Sequence, residues 1–80
     1  MQIRKELIGK STTGSSCLQY YIYYDGESYG VEVEQVKTQL ASGTVSDSRG
    51  QAVHLAQSLL RNQVFPDNLT EILDDYHFLD

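Results

Sequence analysis

A chain of 80 residues can build one modest core and buries only about 60% of the surface its unfolded form exposes. Hydrophobic residues make up 40% of it, which is enough to fold and argues against a disordered chain. The net charge of −5 disfavours non-specific nucleic-acid binding and attraction to an anionic membrane.

The pattern along the chain predicts a single domain, 1–80, with a sheet part over 1–45, a two-helix part over 46–76 and a loosely held tail over 77–80. Strand signals come first and helix signals second, which points to an α+β fold rather than alternating α/β units. Gln2–Lys10 reads as a strand with Ile3, Lys5 and Leu7 on one face and Arg4 and Glu6 on the other. Its basic residues, Arg4, Lys5 and Lys10, read as a solvated strand edge. The stretch from Lys10 to Ser16, rich in Ser, Thr and Gly, reads as a flexible connection.

Cys17–Tyr24 is the strongest strand signal, dominated by Tyr and Ile, which suit a pleated surface. Asp25-Gly26 is a favoured pair for a tight hairpin turn, both central residues tolerating positive φ. Ser28–Val36 then alternates Tyr29, Val31 and Val33 with Gly30, Glu32 and Glu34. A two-residue turn pairs Tyr24 with Glu27, and a four-residue loop shifts each pair by two on the same faces. An odd loop would set Tyr20 and Leu18 opposite glutamates, so the loop is expected to be even. Leu18, Tyr20, Ile22, Tyr29, Val31 and Val33 then face inward. Gln19, Tyr21, Tyr23, Ser28, Glu32 and Glu34 face outward. After a turn, Leu40–Val45 is expected to add a short fourth strand.

Ser46–Asn62 reads as a helix, with Ser48 and Gln51 as a capping box and Ala52, Val53, Ala56, Leu59 and Leu60 as its apolar stripe. Pro66 ends any continuation. A second helix is expected from Asp67 to Tyr76, capped by Asn68 and Glu71, with Leu69, Ile72, Leu73 and Tyr76 on one face. The expected architecture is therefore an antiparallel sheet of three to four strands with two C-terminal helices packed on one face.

The pieces 20-YYIYY-24, 29-YGVEVE-34, 46-SDSRG-50 and 59-LLRN-62, with Val64, Pro66, Leu69 and 74-DDY-76, resemble a family of small bacterial proteins known only as a domain of unknown function. That resemblance implies no activity, cofactor or site residue.

Chemical motifs are sparse. Gly9-Lys10-Ser11 looks like the end of a phosphate loop, but Arg4 stands where the earlier glycine belongs and no helix follows. Cys17 is the only cysteine, so no internal disulfide forms, and no local motif joins it to His54 as a nucleophilic pair. His77 near Asp74, Asp75 and Asp80 lacks calcium-loop spacing and reads as a solvated acidic tail. Asn68-Leu69-Thr70 matches the glycosylation pattern, but without a secretion signal a chance match is expected. The lone cysteine and the lack of an apolar leader or an ~18-residue apolar run lead to an expected cytoplasmic location.

No catalytic residue, cofactor or metal is expected. The favoured function is a small non-enzymatic interaction module or regulator, docking a protein partner or itself through Tyr21, Tyr23, Glu32 and Glu34, or through an open strand edge. Tyrosine offers apolar area with a polar tip, which suits such a surface. The plainer role of those tyrosines is to shield the hairpin, with Tyr21 covering Gly30. The alternatives are a small enzyme or metal-binding protein using Cys17, His54 or His77, and an acidic nucleic-acid mimic that binds a basic protein.

Overall fold

A computed structural model describes the backbone of residues 4–79 and the side chains of residues 4–75. Six elements follow one another: β1 (Arg4–Thr13), β2 (Ser16–Tyr24), β3 (Tyr29–Gln35), β4 (Gln39–Ser46), α1 (Arg49–Arg61) and α2 (Pro66–Leu79). The strands form an antiparallel meander in the order β1-β2-β3-β4. Both helices cover one face, α1 across all four strands and α2 over β4 and β3. This is the α+β arrangement that the order of strand and helix signals predicts.

The hairpin of β2 and β3 follows from alternation. Ile22 pairs with Val31 and Tyr20 with Val33, so every large apolar side chain of this ribbon points to the helices. Leu18, Tyr20, Ile22, Val31 and Val33 are buried, while Tyr29, expected inside, is half-buried and packs against the margin of the core. The loop is even, but it has four residues rather than two, and Tyr24 pairs with Tyr29. Asp25 causes this: its Oδ1 accepts from the backbone N–H groups of Glu27 and Ser28, at 2.9 and 2.8 Å. Such an Asx turn needs only one positive φ, supplied by Gly26 at 103°.

Four sequence readings are corrected here. The Lys10–Ser16 connection is an ordered part of a hairpin: β1 continues to Thr13, which pairs with Ser16 across a turn at Gly14-Ser15. Gly14 takes φ 58°, and the Ser/Thr run, loop-like in composition, is compatible with a pleated edge strand. The buried stripe of α1 is Ala52, Leu55, Ala56 and Leu59, with Val53 and Leu60 flanking it. Leu55 falls at i+3 from Ala52, the position helical geometry requires. Thirdly, α2 starts at Pro66, so Asn68 lies inside the helix, its N–H donating to the Phe65 carbonyl, and is not the cap. Proline suits the first helical position, where its missing N–H costs nothing. The helix also runs through residues 77–79, expected to be a tail. The expected core contact of Tyr76 lies outside the described side chains.

Ser48 caps α1 as expected, its Oγ accepting from the Gln51 N–H at 3.4 Å. The other end closes with Gln63 in the left-handed region at φ 52°. Its N–H donates to the Leu60 carbonyl, and the Val64 N–H to that of Leu59, a paired closure that satisfies two orphan carbonyls. Val64 then offers its own carbonyl to the Tyr20 hydroxyl, 3.0 Å away, so this fully buried tyrosine has a partner.

Each edge strand carries an irregularity. The register of β1 jumps between Leu7 and Gly9, that of β4 between Thr44 and Ser46. The extra residues, Ile8 and Val45, pack onto the core. A bulge at a sheet edge bends the strand and spoils it as a template for another chain. At the first bulge, a Cβ on Gly9 would meet the end of the Leu60 side chain of α1. Gly9-Lys10-Ser11 is therefore a stretch of edge strand, with no helix terminus to bind phosphate.

Candidate interaction surface on the open sheet face

The register makes the face opposite the helices a grid of three rows. Lys5, Tyr23, Gly30 and Thr44 lie across one row, and Leu7, Tyr21, Glu32 and Ser42 across the next. Lys10, Gln19, Glu34 and Leu40 form the third. The expected surface residues Tyr21, Tyr23, Glu32 and Glu34 all stand on this face, at its centre.

They are half-buried rather than free-standing. Lys5 reaches diagonally over the Tyr21 ring, its Nζ 4.5 Å from the centroid, and ion-pairs with Glu32. That hydrogen bond to Glu32 is the main reason its ammonium is held above the ordinary lysine range. Tyr21 donates its hydroxyl to Gln19 Oε1. Partial burial, and then the neighbouring Glu34 carboxylate, push its phenol up. Tyr23, not Tyr21, covers Gly30, because the four-residue loop moves the pairing by two. A Cβ on Gly30 would run into both the Tyr23 ring and the Gly43 backbone carbonyl.

The sequence reading missed two residues on this face. Leu7 and Leu40 are the exposed large hydrophobics among the described residues, at 44% and 55% exposure, and both stand here. Their signal was parity: Leu7 shares a face with Lys5, and Leu40 follows once Glu34 is known to point outward.

The other sequence candidates do not converge. Cys17 lies half-buried at the start of β2 on the open face, whereas His54 is exposed on α1, and the sheet separates them. The side chain of His77 lies outside the described residues. Among those described, no three His, Cys, Asp or Glu side chains are grouped as a metal would require. An open cleft of ≈ 620 Å³ at the end of β1 is lined by Arg4, Lys5, Glu6, Ile22, Tyr23, Tyr24, Tyr29 and Arg49. Within it Arg49 pairs with Glu6 at 2.9 Å, while Lys5 pairs with Glu32 outside the cleft. No helix among the described residues is long and apolar enough to cross a membrane.

The chain belongs to a family of unknown function, DUF6514, whose model matches residues 3–78. No curated protein and no solved structure matches it.

Proposed function

We propose that this family member is a small non-enzymatic interaction module that docks a protein through the open face of its sheet. One observation carries the reading: both exposed large hydrophobics among the described residues stand on the face the helices leave bare, Leu7 on β1 beside Tyr21 and Leu40 on β4 beside Glu34. Apolar and aromatic area interspersed with charged and polar groups suits a protein-binding patch. The edges are poorer candidates, since both edge strands are bulged and β1 carries Lys5 and Lys10.

The test is a Leu7→Ser, Leu40→Ser double variant. Both side chains are solvent-facing, so the melting temperature should stay near that of the wild type. Immobilised wild type and variant are compared for proteins retained from native extract, identified by mass spectrometry. A partner held by the wild type and lost from the folded variant supports the reading. Equal retention by both removes the open face as the docking site.

A further inference from the structure

The charges on the open face are sorted by strand. Bases stand on β1, Lys5 and Lys10, and acids on β3, Glu32 and Glu34, with tyrosines on β2 between them. Such a face can be tested against its own image. A two-fold axis lying across the strands would set Glu32 over Glu32 and Lys5 over Lys10 of a second copy, which like-charge repulsion opposes. A two-fold axis parallel to the strands, between β2 and β3, does the opposite. It lays β2 over β3 of the second copy and β1 over β4, so no base meets a base and no acid an acid. Tyr21 then faces Glu32 of the other copy, and Lys10 lies over Leu40 within reach of Glu34.

We infer that the open face pairs with a second copy of this chain about that axis, the strands of the two sheets running close to aligned, as in aligned sheet stacking. The inference deepens the proposed function by naming the partner, and it rests on the same face. A four-stranded face of this length covers roughly 500 Å² per copy from ordinary strand dimensions, about 1,000 Å² in all. That is the lower bound for a specific interface, so the pairing is reversible and concentration-dependent.

The register gives a specific test by sedimentation equilibrium at low salt. Leu40→Lys puts an ammonium over Lys10 of the other copy on both sides of the axis and should weaken the dimer about tenfold. Adding Lys10→Glu turns each repulsion into an attraction and should bring the dissociation constant back to within about threefold of wild type. Both positions are exposed, and thermal melts confirm that each variant is folded. A wild type that stays monomeric to about 1 mM, the weak limit of specific association, overturns the inference. So does a Leu40→Lys variant that dimerises as tightly as wild type, or one that Lys10→Glu does not rescue. If the wild type is monomeric yet a captured partner is still lost with Leu7→Ser, Leu40→Ser, self-pairing fails while the docking role stands.

Discussion

Tyr20 shows how one side chain joins the two layers. Its ring fills the sheet's inner face, and its hydroxyl donates to the Val64 carbonyl just past α1. Tyr20→Phe should leave that carbonyl short of a donor and cost about 0.5–1.5 kcal/mol in chemical denaturation. Burial pushes the Tyr20 phenol above its ordinary 10.0, and the Glu32 bond pushes Lys5 above its ordinary 10.5. Both groups bind their proton more tightly folded than unfolded. Their stabilisation is complete below those ordinary values and lost as pH rises through the folded ones. Denaturation midpoints measured between pH 9 and 11 should therefore fall with rising pH, starting near 10.0, and less steeply in Tyr20→Phe. Asp25 has the reverse sign: the Ser28 and Glu27 N–H groups hold its carboxyl below the ordinary 3.8. The loop's dependence on Asp25 should be full above that value and fade as acid titrates the group.

At the scale of elements, two backbone positions make opposite predictions. Gln63 holds the left-handed conformation that closes α1, at a cost that glycine does not share. Gln63→Gly should raise stability by up to about 1 kcal/mol, since the αL strain removed exceeds the extra chain entropy lost. Gly30 lies under Tyr23 and against the Gly43 carbonyl, which is backbone and cannot swing aside. Gly30→Ala should cost about 1–3 kcal/mol, read as a lower denaturation midpoint. The β2–β3 ribbon was legible in the sequence because a one-residue slip would bury Glu32 and Glu34, leaving one parity possible. Its loop length was not, because two- and four-residue loops conserve parity and only the Asx turn at Asp25 separates them. The stretch 10-KSTTGSS-16 misled because small polar residues suit both a loop and a solvated edge strand. Asn68 misled because a cap signal two residues into a helix is overruled by the proline that starts it.

Across the whole molecule, two layers share one core, and Leu59, Leu69 and Leu73 are its helix-side anchors. Leu69→Ala should cost roughly 2–5 kcal/mol in equilibrium unfolding, enough to unfold much of a chain this small. Among the described residues no element covers the other side of the sheet, and this bare face is the proposed docking site. Tyr21, Tyr23, Glu32 and Glu34 were legible there from alternation alone. Leu7 shared the face of Lys5 in the sequence but was not read as part of the surface, and Leu40 was not legible, because its orientation depends on the register of β4. Methyl-resolved NMR can decide whether docking occurs there, by titrating the labelled chain with a captured partner or with its own unlabelled copies. The Leu7 and Leu40 methyls should shift or broaden first, while those of Val53 and Leu60 on α1 stay fixed. Perturbation confined to the α1 methyls, with Leu7 and Leu40 unmoved, would contradict it.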